Sequence, residues 1–513
     1  MPTTDPPPAG SQPEPQPPPT PSPAARAEGP RADARAAGGT DDSASSLQQV
    51  VPAWLWIADA LTLLLLVVSL GVSLFGGQLL SIGPLKLSLR SPSRLVMLAL
   101  LMIAITWIAQ RSLPPWRRWR LQWTQFAQRY PSVAAVLPIV LTTRLLVLIV
   151  GFMAVKLIGF APVTVHRQWE SIWPDDLVNL PWRWDTGWFT GIAIDGYTWD
   201  PNPTREQSIV FFPGFPMLMR LGATLVGQPE SPVAVVWSGV VVSWIAFTLA
   251  CVYLYRLVRE EFGDADAAIG AVLLLAAYPF AVFFSTAYSE SLFLFTVIGT
   301  FYHFRRQQWW LATVFGLATG LSRLNGCMFS VALAAIIVLR EWSPSVQRPT
   351  AWRLADLWSP ASLRAWLVAA MPGIGMLIYC AFIWHLTGDP LAWIKRQAAW
   401  QRDIHLFDPR LAAQFSQPRY WFDAAALVFV IATLWPLARR IGIAAATFVA
   451  LTTLLPFLNG GLLSIGRFTS IVFPLFIWLA LVVPREHRAL VATIFGIAQG
   501  LVACAFFTNR PLY

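Results

Sequence analysis

The sequence predicts an all-α polytopic membrane protein, and three observations carry that reading. Its 513 residues are 56% hydrophobic and only 12% charged, whereas soluble chains carry about 25% charged residues. Apolar runs recur from about residue 53 onward, each near the roughly 20 residues that cross a hydrocarbon core. Between them, short Arg-rich loops alternate with longer ones rich in tryptophan and aspartate. In lipid the backbone must satisfy its own polar groups, so each run reads as a helix.

Residues 1–50 are a different material, rich in Pro, Ala, Gly, Ser and Asp. Such a segment buries too little apolar surface to offset its ordering entropy and reads as a disordered cytoplasmic tail. It lacks the pattern of a signal peptide, so the run at 53–75 reads as a retained anchor. Residues 51–132 read as an extra N-terminal transmembrane hairpin with a basic linker, and 133–513 as the membrane core. Core helices are expected at about 133–158, 233–256, 266–286, 289–304, 309–325, 326–341, 366–386, 422–437, 442–458, 466–483 and 488–507. With the hairpin the total is about 13.

Arginines set the orientation. The stretch 111–132, the pairs Arg256/Arg259, Arg305/Arg306 and Arg439/Arg440, the loop 340–364 and the run 484–488 read as cytoplasmic. Lys86 and Arg90 then fall outside, a small exception. The segment 211–227 (FFPGFPMLMRLGATLVG) is apolar enough to span, yet spanning would put Arg256 and Arg305 on the wrong side. It reads instead as an interfacial or re-entrant helix. Large outer loops at 159–210 and 387–421, with short turns at 286–292, 322–326 and 459–468, collect the polar residues on one extracytoplasmic face. The expected setting is the cell (inner) membrane, multi-pass.

The net charge of +10 is explained by those loops, and no basic stripe on a soluble fold points to nucleic acid. Cys251, Cys327, Cys380 and Cys504 are dispersed among apolar segments, and the five histidines are scattered. Neither pattern suggests disulfides or a metal site. No phosphate-cradling glycine loop, HExxH, GxSxG or metal-holding DxD is present. A group donor, if there is one, is therefore expected from within the membrane.

Asp185 stands in RWD among Trp182, Trp184 and Trp188. A carboxylate walled by indoles at headgroup level is partly desolvated, which makes it a better proton acceptor. An ion pair with Arg183 inside a tryptophan belt is the structural alternative. Glu290 lies in YSES (288–291), where an ionisable residue next to lipid suggests function; the Ser289–Glu290–Ser291 cluster could instead cap a helix. Arg323 and Asn325 in GLSRLNG, Arg467 in SIGRFTS and Arg402 on the second outer loop interrupt apolar surroundings. Guanidinium forks suit phosphate oxygens, although each arginine could simply snorkel to the headgroups.

Six blocks, TTRLLVLIVG (142–151), RWDTGWFTGIAIDGY (183–197), FFPGFPMLMR (211–220), YPFAVFFSTAYSESLFLF (278–295), LSRLNG (321–326) and GRFTSIVFPLF (466–476), occur in this order. Together they resemble the PIG-V-like mannosyltransferases, membrane glycosyltransferases of the GT-C fold that use a lipid-phosphate sugar donor. The likeness spans about 140–480; the tail and the hairpin at 53–110 have no counterpart in it.

The resemblance implies a GT-C-like bundle with large extracytoplasmic loops. It implies transfer of mannose from polyprenyl-phosphate-mannose to a lipid or glycan acceptor by inverting displacement, with Asp185 as general base. Arg323, Arg467 and Arg402 would stabilise the leaving phosphate. Glu290 would orient the acceptor, help bind a divalent metal such as Mg or Mn, or position Arg323. Trp184, Trp188 and Tyr197 would offer aromatic faces, and Arg183, Ser289 and Asn325 complete the expected substrate contacts. No cofactor beyond that metal is expected. Rival readings are a GT-C transferase for another hexose, and a lipid-linked-sugar transporter or flippase. The transporter would place ionisable groups near the midplane of an internally repeated fold.

Overall fold

The computed structural model describes residues 51–75, 78–82, 85–89, 91–161, 172–202, 204–342, 357–400, 402 and 410–510. The expected tail at 1–50 lies outside the described residues.

Helices α1 (Ala53–Phe75) and α2 (Pro92–Ala109) pack together. A two-stranded antiparallel ribbon joins them, β1 (Gln78–Ile82) against β2 (Leu85–Leu89), with Gln78 opposite Leu89. The sequence reading has no strand here, because five-residue strands are too short for alternation to be legible. The basic linker is also more than a linker. It forms α3 (Pro115–Arg129), whose Trp116, Trp119 and Trp123 are exposed while Arg118 and Gln122 turn inward. Arg118 donates to Asp59 of α1 from Nε at 2.7 Å and to Thr106 Oγ1 of α2 at 3.1 Å; Gln122 Nε2 donates to Asp59 at 2.8 Å. One arginine thus ties all three helices together. An outward row of indoles is what a helix lying in the interfacial plane presents.

The core follows in chain order: α4 (Pro131–Ile158), α5 (Thr186–Asp195), α6 (Gly214–Leu225), α7 (Pro232–Phe262), α8 (Ala265–Ala277), α9 (Glu290–Arg305), α10 (Trp309–Ser322) and α11 (Phe329–Leu339). Then come α12 (Pro360–Ala369), α13 (Met371–Thr387), α14 (Ala392–Lys395), α15 (Arg410–Ser416), α16 (Trp421–Arg440), α17 (Ile443–Gly460), α18 (Ile465–Ser470), α19 (Phe473–Val482) and α20 (Arg485–Phe507). Boundaries follow local chemistry. Ser231 caps α7 ahead of Pro232, left-handed Gly263 ends it, and Asp264 accepts the Ala267 N–H at 2.9 Å to open α8.

Among the described residues, eight helices are long and apolar enough to cross a membrane, or nine if one bent pair counts as a span. The expected total of about 13 is not matched among the described residues; three further apolar helices, including α10 and α19, are shorter than a span. The segment at 211–227 contributes only the 12-residue α6, which packs on α5 and α7. At 1.5 Å per residue that is roughly 18 Å, short of a span.

The bent pair is α8 and the 3₁₀ segment Pro279–Ser285, at 82°. Proline lacks the N–H that would continue the helix, so carbonyls around the break are left over. Arg144 of α4, fully buried, donates to the carbonyls of Ala276 and Ala281 and to Ser285 Oγ. Gln499 Nε2 of α20 reaches the carbonyls of Ala276 and Tyr278 at 3.1 and 2.8 Å. Irregular backbone survives inside a membrane protein only where such partners exist. Here the break carries the chain into Tyr288–Glu290, at the end of the bundle where α9 begins.

Candidate active site

Asp185 sits at the N-cap of α5, yet its side chain caps nothing. Its backbone N–H donates to the Tyr288 hydroxyl at 3.1 Å, which donates in turn to the Arg183 carbonyl at 3.3 Å. The free carboxylate accepts from Arg467 Nη1. Arg467 Nε donates to Glu290 Oε1, and Arg323 pairs with the same oxygen. Four charged side chains from α5, α9, the end of α10 and α18 thus form one chain, Asp185–Arg467–Glu290–Arg323, whose charges sum to zero. Mutual neutralisation is what lets charges stand inside a protein, where an unpaired ion is costly.

The two carboxylates differ in access. The Glu290 side chain is 0% exposed and that of Asp185 is 24% exposed. Glu290 is a sealed hub; Asp185 is the one a substrate can reach. Aromatic faces surround the arginines, with Arg467 Cζ 4.7 Å from the Tyr288 ring centroid. Arg323 and Arg402 stand over the single ring of Phe468, at 5.6 and 5.5 Å.

Several expected site residues sit elsewhere. Arg183 does not pair with Asp185. It donates to the carbonyls of Phe507, Asn179 and Trp182 at 2.7, 2.8 and 2.6 Å and lies over the Phe160 ring. Burial pushes its guanidinium down to about 10, still protonated at neutral pH. The physical reason is Trp184, whose φ of 51° turns the chain so that neighbours in sequence face apart. Such a conformation is strained for a bulky residue, and the bond from Trp184 Nε1 to the Phe506 carbonyl at 3.2 Å helps hold it.

Ser289 occupies the N-cap of α9 without a side-chain cap bond; it accepts instead from Arg323 at 3.4 Å. The capping alternative for Ser289–Glu290–Ser291 therefore gives way to the charge chain. Asn325 is buried and donates to the Thr452 carbonyl at 3.3 Å, a structural bond between helices. Tyr197 donates to the Phe211 carbonyl at 2.8 Å and packs on Tyr379 and Phe382; it braces the loop. Trp188, one turn beyond Asp185, stacks on Phe211 at 5.9 Å and meets Trp400 edge-on at 5.8 Å.

Two residues that position Arg467 carry no local sequence signal. Asp423 of α16, 1% exposed, accepts the Gly466 N–H at 2.7 Å. Gln414 accepts the Leu462 N–H at 2.8 Å. Together they fix the break between α17 and α18. Gly466 itself lies so close to Phe280 that a Cβ would stand 1.9 Å from Phe280 Cζ. Gly466→Ala is therefore expected to cost about 1–3 kcal/mol and to displace Arg467. A lowered thermal midpoint of the purified protein checks this.

The donor set does not fit a divalent ion. Asp185 and Glu290 are each already countered by guanidinium, and no group of three His, Cys, Asp or Glu converges among the described residues.

Residues 157–397 match the family profile described as mannosyltransferase (PIG-V). GPI alpha-1,6-mannosyltransferase 2 of Cricetulus griseus is 32% identical over 149 residues, 28% of this chain and 29% of that protein. GPI mannosyltransferase 2 of Drosophila pseudoobscura pseudoobscura is 28% identical over 177 residues, 31% of this chain and 38% of that protein. The matched stretch thus spans about a third of these curated relatives. Among solved structures, the oligosaccharyltransferase AglB of Archaeoglobus fulgidus, in complex with an inhibitory peptide and a dolichol-phosphate, aligns with a TM-score of 0.39 at 14% identity. That alignment covers 72% of this chain and 56% of that one. Over residues 157–397, which include Asp185, Glu290 and Arg323, the chain is similar to the PIG-V mannosyltransferases.

Proposed function

We propose that the protein is a membrane glycosyltransferase that moves mannose from polyprenyl-phosphate-mannose to a hydroxyl of a lipid or glycan acceptor. The observation that carries this is Arg467 bridging a reachable carboxylate, Asp185, and a sealed one, Glu290. A transferase of this kind needs a base for the acceptor hydroxyl and fixed positive charge for a phosphate leaving group. Both stand here within one ion-paired chain.

Asp185 accepts the proton as the acceptor oxygen attacks the anomeric carbon. The new C–O bond forms on the face opposite the leaving group, the bond to the phosphate oxygen breaks, and its electron pair departs on polyprenyl phosphate. Arg467 and Arg323, with Arg402 on the same Phe468 ring, receive that charge from preset positions. Arg467 is paired with Asp185; a phosphate offers the guanidinium several oxygens at once and draws it away, which frees the base.

Orientation supports an extracytoplasmic site. The helix ends opposite to it carry Arg256, Arg259, Arg305, Arg306, Arg439, Arg440, Arg485 and Arg488, the positive charge that marks the cytoplasmic side. Proteoliposomes given isotopically labelled polyprenyl-phosphate-mannose and a panel of lipid and glycan acceptors test the proposal. Labelled product with inverted anomeric configuration is expected. Transfer from a polyprenyl-phosphate hexose other than mannose would reassign the sugar, and none from any donor would overturn the reading.

A further inference from the structure

Helices α1–α3 precede the stretch matched at 157–397, and α3 stands at the opposite end of the bundle from the charge chain. It runs through Tyr130 into α4. The other end of α4 meets the end of α20, where the Ala161 N–H donates to the Thr508 carbonyl at 2.9 Å, beside the Phe507 carbonyl that holds Arg183. The 28 residues of α4 put roughly 42 Å between those two ends.

We infer that the outward face of α3 is a binding surface for anionic phospholipid, with its arginines on the headgroup phosphate and its indoles at the hydrocarbon rim. The inference does not rest on the proposed reaction.

The inward face of α3 fixes its depth. Arg118 reaches both Asp59 and Thr106, the latter three residues from the end of α2, and Gln122 bonds to Asp59. Trp107, exposed in the last turn of α2, meets Trp116 edge-on at 6.2 Å. The neighbouring outward residues of α2 are apolar: Leu100, Leu101, Ile105 and Ile108 are all exposed, a surface suited to acyl chains. The aromatic row of α3 therefore starts where that surface ends, at the level indoles favour because one side is apolar and the other wet.

Spacing and charge decide the ligand. Trp116, Trp119 and Trp123, followed by Phe126 and Tyr130, recur every three or four residues, so they form one stripe along the helix. Arg120 lies in that stripe, four residues after Trp116, and Arg117 is its neighbour one turn back; both are exposed. No Asp or Glu occurs between Asp59 and Glu170, and Asp59 is already countered by Arg118. Among the described residues neither Arg117 nor Arg120 has an acidic partner. Like charges one turn apart repel each other, and a phosphate between two guanidiniums removes that repulsion. A zwitterionic headgroup brings its own cation and does so less well. An acidic soluble protein would call for a stripe raised clear of the lipid, not one that begins at its edge.

The test places the full-length protein in phosphatidylcholine nanodiscs doped with a phosphatidylglycerol that carries a diazirine near its headgroup. Adducts, mapped by mass spectrometry, are expected within residues 111–130. Unlabelled phosphatidylglycerol should compete them away, and added phosphatidylcholine should not. The double variant Arg117→Gln/Arg120→Gln should lose about tenfold of this labelling, because each guanidinium at a charged surface adds to the attraction. Arg117→Lys/Arg120→Lys should keep most of it, and Arg94→Gln, at the start of α2, should keep all of it. Since Arg117 and Arg120 are exposed, the melting midpoint of the Gln variant in pure phosphatidylcholine should match wild type. Adducts confined to other segments, equal competition by phosphatidylcholine, or full labelling of the Gln variant would overturn the proposal. The readout is lipid contact alone and is indifferent to mannose transfer.

Discussion

Asp185→Asn is expected to lower mannose transfer by about 10²–10⁴-fold, the usual contribution of a general base, with donor affinity nearly preserved. The amide keeps the shape of the side chain and one oxygen for Arg467, but it accepts no proton. Since Asp185 is the accessible member of the charge chain, the loss should fall on kcat rather than on donor KM. Turnover in proteoliposomes, alongside the melting midpoint of the purified variant, reads both. Undiminished turnover in folded Asp185→Asn would remove Asp185 as the base and with it the mechanism.

Glu290→Ala is expected to destabilise the protein by about 3–5 kcal/mol, the penalty for stranding buried charge. Arg323 and Arg467 converge on one Glu290 oxygen, so its removal leaves two guanidiniums repelling each other in a sealed site. Activity should fall with stability, because both arginines lose the geometry that meets the phosphate. Glu290→Gln keeps an acceptor oxygen and should sit between the two in thermal stability. A Glu290→Ala protein as stable as wild type would mean that the arginines find other partners and that Glu290 is no hub.

The four members of the charge chain were legible in the sequence one at a time. Asp185, Glu290, Arg323 and Arg467 each stand out as an ionisable residue in apolar surroundings. What the sequence could not show is that they meet, since Asp185 and Arg467 are 282 positions apart. The same limit explains Arg183. Its sequence neighbour Asp185 was the natural partner, and only the left-handed turn at Trp184 separates them. Asp423 escaped because an acid in a helix's first turn reads as ordinary capping, and Gln414 because an amide in a short helix reads as solvated. Arg144 escaped for another reason: its partners are carbonyls freed by a helix break that periodicity does not reveal. The apolar helices themselves were legible because lipid leaves few alternatives, whereas the short ribbon between α1 and α2 had no pattern long enough to betray it.

The anchoring of Arg183 and Trp184 to the carbonyls of Phe507 and Phe506 has a consequence for how the RWD turn comes into being. Those carbonyls are made 322 residues after Trp184, which at ribosomal rates of about 5–20 residues per second is a delay of roughly 15–65 s. During that interval the RWD turn has no latch, and its strained backbone is free to relax. A nascent chain already threaded into the bilayer therefore holds its Asp185 carboxylate unaimed. Maturation of the RWD turn is a late event, timed by the arrival of the helix that closes over it.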